Sequence, residues 1–254
     1  MRLRADLHTH TVASGHAYST VSDLAATAAA RGIELIAVTD HGPGVPDGPH
    51  PWHFWNLKVV PSVLGGVRIL KGVEANPSQE TENGIDLPDE LLRVLDFVAV
   101  GLHPLSGFDD TAEDKNTEAM LRVIANPYVD MISHPGAAAF PIDRDAIVAA
   151  AVEHGVILEL NAHSFDPTST RHASNHCERE LAIAALEAGA FIAIGSDAHF
   201  HLHVGRFDGA LKVAEEIGIP EDRIVNRDAA SVLAHLLGRR DRPRLDMGGE
   251  WQPW

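Results

Sequence analysis

The sequence predicts an α/β fold in which seven parallel strands form a closed or nearly closed barrel with helices outside. Short, mostly apolar runs alternate with helix-type segments from one end of the 254-residue chain to the other. Strands that are apolar throughout, rather than at alternate residues, are typical of parallel sheets covered on both faces. An open, doubly wound sheet stays an alternative, because hydrophobic periodicity does not report whether a sheet closes.

The predicted strands are short apolar runs that end in polar or turn-forming residues. In order they are Leu3–His8, Ile33–Asp40, Val67–Glu74, Phe97–His103, Met131–His134, Val156–Asn161 and Phe191–Asp197. The segments between them are rich in alanine or amphipathic, and the predicted helices are Val21–Arg31, Asn116–Ala125, Asp143–His154 and Glu178–Ala188. Residues suited to capping helices flank these segments. They are Thr20 or Ser22, Asp143, Gly32, Gly155 and Gly189.

Two segments fall outside the alternating pattern. Residues Gly42–Asn56 are dense in proline and glycine and then carry the aromatic run Trp52–Trp55. Such a loop could close over a pocket as a flap, or pack its rings onto the barrel rim. Residues 239–254 are rich in Arg, Asp, Gly and Pro, and we expect an extended tail there. The barrel domain is therefore expected to cover residues 1–238.

Composition excludes several classes of protein. The formal net charge of −16 argues against a broad nucleic-acid-binding surface, because such surfaces place Lys and Arg against phosphates. No apolar run approaches the roughly 20 residues that span a bilayer, and the chain does not start with a signal-peptide pattern. We therefore expect a cytoplasmic protein that does not bind membranes. The single cysteine, Cys177, is expected to be partly buried and inert.

Histidine is over-represented, with 16 in the chain, where average usage predicts about one third of that number. His8 and His10 lie two residues apart on the first strand, so their side chains point to the same face while Leu7 faces the packing. Every later strand except the sixth also ends in residues that can bind metal. These are His41, Glu74, His103, His134, Asp197 and His199.

This pattern predicts a metal centre at one end of the barrel. The active sites of barrel enzymes lie at the carboxyl ends of the strands, where side chains from several strands meet. Burying so many polar groups without partners would be costly, and metal binding removes that cost. The remaining histidines are expected to be solvated or hydrogen-bonded: His50, His53, His154, His163, His172, His176, His201, His203 and His235. Of these, His163, His201 and His203 follow strand ends and could line the pocket.

Taken together, the motifs resemble the PHP (polymerase and histidinol phosphatase) family and, within it, the YcdX-type phosphatase branch. The matching runs are Ser14-Gly-His16-Ala-Tyr-Ser-Thr, His41-Gly-Pro, Glu74-Ala-Asn, Ser133-His134-Pro135-Gly136 and Gly195-Ser196-Asp197-Ala198-His199. The resemblance implies a distorted (β/α)7 TIM-like barrel that holds three divalent metal ions, zinc first, with manganese or iron as alternatives. Pro104 after His103, and the run Asn161-Ala-His163, depart from the branch and affect the identity of the substrate.

The resemblance also implies a ligand set for each ion. The first ion would take His8, His10, Glu74 and Asp197, the second Glu74, His103 and His134, and the third His16, His41 and His199. Glu74 would bridge the first two ions, which suits a carboxylate because it has two oxygens.

The implied function is a metal-dependent phosphoesterase that hydrolyses small phosphate monoesters with a metal-bridging hydroxide, assisted by Glu74, Asp197, His103 and His134. Asp6 and Asp40 are expected to orient ligand histidines through their other ring nitrogens. The leaving-group proton would come from a metal-bound water or from His163. Three basic residues are candidate phosphate contacts, although solvated surface charge is the favoured interpretation for each: Arg171, Arg206 and Lys115.

Three alternative functions stay open. A nuclease acting on short oligonucleotides, or a nucleotide phosphatase, would differ only in what fills the pocket. An amidohydrolase cleaving C–N bonds also begins with two histidines on a strand, but it would need a carboxylated lysine, and Lys71 should face away from Glu74. A non-catalytic metal-binding barrel should have lost ligands, and none of the nine expected residues is missing.

Overall fold

The computed structural model describes residues 1–108 and 112–239. Its strands are β1 Ala5–Thr9, β2 Leu35–Val38, β3 Val63–Leu64, β4 Val67–Ala75, β5 Phe97–Val100, β6 Met131–Ile132, β7 Ile157–Asn161 and β8 Ile192–Gly195. Its α-helices are α1 Val21–Arg31, α2 Pro51–Asn56, α3 Asp89–Leu92, α4 Glu113–Ile124, α5 Arg144–His154, α6 Asn175–Ala188, α7 Asp208–Ile217 and α8 Ala229–Gly238. Each predicted strand is present. β2, β5, β6 and β8 end earlier than predicted, because the polar residues at their carboxyl ends turn out of the regular sheet.

Seven strands run parallel in the order β1-β2-β4-β5-β6-β7-β8, and β3 pairs antiparallel with β4. The ring closes between β8 and β1, where Thr9 and Ala198 form a parallel bridge. Across this seam the backbone N–H of His10 donates to the carbonyl oxygen of Ala198 at 3.0 Å. The barrel is thus nearly closed, which confirms the predicted α/β barrel over the doubly wound sheet.

A buried side chain closes the lower part of the same seam. The Asn226 amide nitrogen donates to the carbonyl oxygens of Ala5 and Ile194, at 2.9 and 2.8 Å. Its amide oxygen accepts from the backbone N–H of Ile194 at 3.0 Å. Asn226 thus satisfies backbone groups of both β1 and β8 that would otherwise be buried without partners.

The apolar core has two layers. The inner layer fills the barrel, and each of the seven parallel strands contributes to it: Ala5, Leu7, Leu35, Ala37, Leu70, Phe97, Ala99, Met131, Ile157 and Ala193. Val232 and Leu236 of α8 pack against this layer. The outer layer lies between the strands and the surrounding helices, and includes Ile36, Ile69 and Val98. The barrel interior is therefore packed, which leaves the carboxyl ends of the strands as the place for a site.

A β-bulge in β1 determines how the first two histidines reach that end. The register with β2 slips by one residue between Asp6 and Thr9. Leu7 packs inside the barrel with Ala5, and His8 nevertheless points to the site above it. In a regular strand Leu7 and His8 would point to opposite faces of the sheet. The bulge allows both side chains to point into the barrel.

The predicted helix caps are present where the sequence placed them. Thr20 and Asp23 form a capping box at the start of α1, and the Asp143 side chain accepts from two backbone N–H groups at the start of α5. Gly32 and Gly155 end these helices in the left-handed conformation, at φ values of 72° and 65°.

Cys177 is exposed, so the prediction of a partly buried cysteine was wrong. It lies in the first turn of α6, whose buried face is formed by Glu178, Leu181, Ala182 and Ala185. Of the predicted tail 239–254, all but Arg239 lies outside the described residues, and the domain boundary stays a prediction. Within residues 1–108 and 112–239, we find no helix both long and apolar enough to cross a membrane.

Candidate metal centre

The nine side chains named from the sequence lie at the carboxyl end of the barrel. They are His8, His10, His16, His41, Glu74, His103, His134, Asp197 and His199. All but His16 and His199 are at most 4% exposed. His16 comes from the loop between β1 and α1, whereas the others lie in a strand or within four residues of its end.

The Glu74 carboxylate lies at the centre of the cluster. Its Oε1 is 2.8 Å from Nε2 of His134 and 3.2 Å from Nε2 of His103. Its Oε2 is 3.0 Å from Nδ1 of His41 and 3.2 Å from Nε2 of His8. Both oxygens therefore face ring nitrogens from different strands.

Asp197 is the second carboxylate of the cluster. Its Oδ1 lies 3.3 Å from Nε2 of His10 and 3.5 Å from Nε2 of His8. The same oxygen is 3.4 Å from Nδ1 of His199. Its Oδ2 lies 3.3 Å from Nε of Arg171. Asp197 thus links the imidazoles of β1 to a cation from a later loop.

His16 and His199 form the outer edge of the cluster. Their Nε2 atoms are 3.0 Å apart, and the His16 side chain is 50% exposed. Nδ1 of His16 lies 2.7 Å from Oδ2 of Asp47, in the proline- and glycine-rich loop. The His199 ring stacks on His10, with 4.3 Å between ring centroids.

Four overlapping groups of side chains place their ligand atoms within 4.8 Å of one another. They are His10, His41 and His199; His8, His10 and Asp197; His8, Glu74 and His134; and His41, Glu74 and His103. The groups share members with the three predicted ligand sets without matching them. His10 joins His41 and His199, and His41 also reaches Glu74 and His103.

Several buried ring nitrogens and one carboxylate oxygen in this cluster make no hydrogen bond to any group in residues 1–108 or 112–239. They are Nε2 of His8, both ring nitrogens of His10, Nδ1 of His41, Oε2 of Glu74, Nε2 of His103 and Nδ1 of His134. A buried polar group without a partner costs about 1–3 kcal/mol. Divalent ions accept electron pairs from imidazole nitrogen and carboxylate oxygen, so these residues fit such ions and would be relieved of that cost.

The protonation states suit metal binding. Burial lowers the pKa values of His10, His103 and His134, which keeps these rings neutral with a free lone pair. Burial opposes ionisation of Glu74, but the surrounding imidazoles hold its pKa well below its usual range. Burial also opposes charge on His8, yet three carboxylates outweigh it and raise the pKa of that ring. The ionised carboxylates and the three neutral imidazoles are already in the states that bind cations, whereas His8 would have to release its proton to an arriving ion.

Backbone strain is concentrated at two of these residues. His134 and Asp197 adopt positive φ values of 33° and 52°, which cost non-glycine residues about 1–3 kcal/mol each. Each lies two residues beyond its strand and turns its side chain inward. Position 195 requires a glycine, because a Cβ there would overlap Oε1 of Glu159.

Asp6 and Asp40 do not orient the ligand histidines, so this part of the prediction was wrong. Asp6 accepts from the backbone N–H of Ser196 at 3.1 Å and that of Gly205 at 2.9 Å, and burial raises its pKa to about 6. Asp40 accepts from Thr11 and, at 3.2 Å, from Nε2 of His53. Both carboxylates therefore accept hydrogen bonds from the loops that contain the ligand histidines, and not from the rings of those histidines.

Other side chains contact the second ring nitrogen of the ligand histidines. Glu159 Oε1 lies 2.8 Å from Nδ1 of His8, and Asn76 Oδ1 lies 2.7 Å from Nδ1 of His103. Such contacts fix the ring orientation and tautomer of a metal ligand. Glu159 was not predicted from the sequence, because it lies inside the sixth parallel strand and not at its carboxyl end. The signal was a carboxylate within the apolar strand 156–160.

A cavity of about 690 Å³ opens above the cluster. Its lining includes Arg171 and His163, together with two short runs, Val45–Asp47 and His103–Leu105. The interpretation of Arg171 as solvated surface charge was therefore wrong. Arg206 and Lys115 line other cavities.

The aromatic run Trp52–Trp55 was predicted to lie in a loop, but it forms most of helix α2, and its residues are not among those that line this cavity. Phe54 is buried against the outer core layer, whereas Trp52 is 76% exposed. Of the three histidines expected to be able to line the pocket, His163 lines this cavity, His203 lines a different one, and His201 is instead hydrogen-bonded to Thr27. His50, His53 and His235 are hydrogen-bonded, as expected.

Lys71 does not contribute to the site. It shares its face of β4 with Ile69 and Val73, which pack in the outer core layer, whereas Glu74 shares the inner face with Leu70. A carboxylated lysine at position 71 therefore could not bridge ions beside Glu74.

Fold and site together define a β/α barrel whose strand ends could hold divalent metal ions. The chain belongs to the PHP domain family, because the model of that family matches residues 6–166. The resemblance predicted from the motifs is thereby confirmed.

Relatives match nearly the whole chain. A probable phosphatase of Acetivibrio thermocellus is 45% identical over 244 residues, which cover 96% of this chain and 99% of the relative. The probable phosphatase YcdX of Escherichia fergusonii is 45% identical over 239 residues, covering 94% and 96%. The fold is also similar to the crystal structure of histidinol phosphate phosphatase from Lactococcus lactis, complexed with zinc, L-histidinol and phosphate. That similarity has a TM-score of 0.62 at 18% identity, and it covers 87% of this chain and 95% of the other.

Proposed function

We propose that this protein is a metal-dependent phosphatase that hydrolyses small phosphate monoesters. The observation that carries the proposal is the set of buried ring nitrogens around Glu74 that, together with its Oε2, make no hydrogen bond within the described part of the chain. They lie at the base of a cavity that is also lined by the Arg171 guanidinium. The probable phosphatases that match nearly the full chain support the same activity.

We propose three ions at this centre, held by the nine side chains named above. Glu74 is suited to bridge two of them, because its two oxygens face different pairs of imidazoles. Bound there, divalent ions supply an acidic water near neutral pH and positive charge for the phosphoryl oxygens. Zinc is our first choice, with manganese or iron as alternatives. A cytoplasmic location stays a prediction from the sequence.

The chain's own residues would bind and orient the ester. The guanidinium of Arg171 can donate to phosphoryl oxygens while its Nε stays beside Asp197. Val45, Pro46, Pro104 and Leu105 provide apolar walls for the organic part. His163 lines the same cavity, and its imidazole is our candidate to give a proton to the leaving oxygen.

Metal removal with a panel of esters tests this function. We expect complete chelation to lower the rate on a phosphomonoester such as phenyl phosphate by at least about 100-fold, with recovery on adding back zinc, manganese or ferrous iron. A phosphodiester, a short oligonucleotide and an anilide, measured in parallel, should all react more slowly than the monoester. Full activity after complete metal removal, or faster cleavage of the oligonucleotide or anilide, would contradict the proposal.

Replacing Arg171 with glutamine is expected to lower kcat/KM for phosphomonoesters by about 10- to 100-fold, because a charge-assisted contact to phosphate is worth about 1.5–3 kcal/mol. Inorganic phosphate should inhibit the variant more weakly by a similar factor. Lys115→Gln is the matched control, since Lys115 lines a different cavity. Equal kinetics for Arg171→Gln and Lys115→Gln would show that Arg171 does not contact the phosphate.

A further inference from the structure

A chain of hydrogen bonds leads away from the metal centre through Asn76 to Asp86. Asn76 Oδ1 lies 2.7 Å from Nδ1 of His103. On its other side, Nδ2 of Asn76 donates to Oδ2 of Asp86 at 2.7 Å. The backbone N–H groups of Asn76 and Gly44 also donate to Asp86, at 2.9 and 2.7 Å. Asp86 therefore receives three donors and connects two loops with the side chain that holds His103.

The donors and acceptors in this series of hydrogen bonds can be arranged in only one way when Asp86 is ionised. Burial raises the pKa of Asp86, but the three N–H donors favour the ionised carboxylate, which can only accept. The Asn76 amide must then turn its nitrogen to Asp86 and its oxygen to His103. That oxygen accepts a hydrogen bond from the protonated Nδ1 of His103, which leaves Nε2 with a lone pair. This Nε2 lies 3.2 Å from Oε1 of Glu74 and makes no hydrogen bond to another described residue.

Asp86 also fits closely against the loop that forms one wall of the cavity. A Cβ on Gly42 would lie 2.4 Å from Oδ2 of Asp86, and a Cβ on Gly44 would lie 2.8 Å from the same oxygen. Gly44 directly precedes Val45, Pro46 and Asp47, which line the cavity. The Asp86 carboxylate thus contacts Asn76, which is hydrogen-bonded to His103, and also Gly44, which directly precedes the cavity-lining residues.

We propose that Asp86 is a positioning residue that sets the tautomer of His103 through the Asn76 amide. It keeps the proton of His103 on Nδ1 and so presents Nε2 to the metal centre. Its bond to Gly44 holds the cavity loop in the same arrangement. The effect on metal binding rests on the proposed function, whereas the tautomer itself does not.

The test uses Asp86→Asn and a second, compensating change. In Asp86→Asn one acceptor becomes a donor. On the Oδ1 side this donor meets the backbone N–H of Asn76, and on the Oδ2 side it meets the backbone N–H of Gly44 and the side-chain nitrogen of Asn76. The Asn76 amide then loses its single orientation, and a fraction of His103 should carry its proton on Nε2. In the double variant with Asn76→Asp, residue 76 can only accept. It should return the proton of His103 to Nδ1.

The readout is the nitrogen chemical shifts of His103 in metal-free, ¹⁵N-labelled full-length protein. We expect Nδ1 protonation in the wild type and the double variant, and partial Nε2 protonation in Asp86→Asn. Zinc affinity should fall by about 10- to 100-fold in Asp86→Asn and recover in the double variant. Asp89→Asn is the matched control, because Asp89 lies in the same segment, is exposed and accepts from Asn83.

Two results would overturn the proposal. One is His103 protonated wholly on Nδ1 in the Asp86→Asn variant, and the other is a double variant no closer to wild type than the single one. If the tautomers change as expected but the wild type hydrolyses no phosphate ester, the proposed function fails while the role of Asp86 stands. Thermal unfolding of each metal-free variant shows whether it folds. If the single variant does not fold, His103 protonated on Nε2 in the double variant overturns the proposal.

Discussion

Replacing Glu74 with glutamine is expected to lower kcat/KM for phosphomonoesters by about 1,000-fold or more, because it removes charge from the centre of the site. Both Glu74 oxygens face ring nitrogens within 3.2 Å, and glutamine would replace one of them with an N–H donor. We therefore expect the purified variant to hold fewer metal ions than the wild type. Elemental analysis and steady-state kinetics on the same preparation measure both effects.

Glu90→Gln is the matched control for this change. Glu90 is exposed in α3, and its replacement by glutamine removes the same charge at a position away from the cluster. It should keep wild-type metal content and kinetics. A Glu74→Gln variant with normal metal content and a rate within tenfold of wild type would show that Glu74 is not needed for metal binding or catalysis.

The second large effect is expected for Glu159→Gln, at a residue that does not itself face the ions. Glu159 Oε1 lies 2.8 Å from Nδ1 of His8, and Oε2 accepts from the backbone N–H of His134 at 2.7 Å. The glutamine amide must turn its N–H₂ toward one of these donors. Loss of this support should weaken metal affinity about 10- to 100-fold. The mismatched buried donor should also cost about 1–3 kcal/mol of the free energy of unfolding.

Two measurements separate these consequences. Zinc titration reports the metal affinity, and chemical denaturation of the metal-free protein reports stability. Glu153→Gln, on the exposed side of α5, is the control for loss of one negative charge. If Glu159→Gln changed stability alone and left zinc affinity unchanged, Glu159 would be a structural residue that does not orient His8.

The sequence alone was sufficient for the α/β class with parallel strands and for the residues that gather at the strand ends. Strands and helices that alternate, and strands that are apolar throughout, are properties of short segments, so they can be predicted without knowing the tertiary contacts. The same is true of caps such as Thr20 and Asp143, whose partners lie within three residues. A residue such as Glu74 could be placed on the rim because a parallel strand has only one carboxyl end, and all such ends in a barrel meet.

The tertiary structure alone decided which of those residues are neighbours. The distance from His41 to Glu74, or from His10 to His199, depends on barrel closure and on the bulge in β1, neither of which leaves a local pattern. Glu159 and Arg171 were missed or misjudged for the same reason, since their partners are 151 and 26 residues away along the chain. Residue type and strand position are properties of a short segment, whereas hydrogen-bond partners across a barrel are set by the packing of the whole domain.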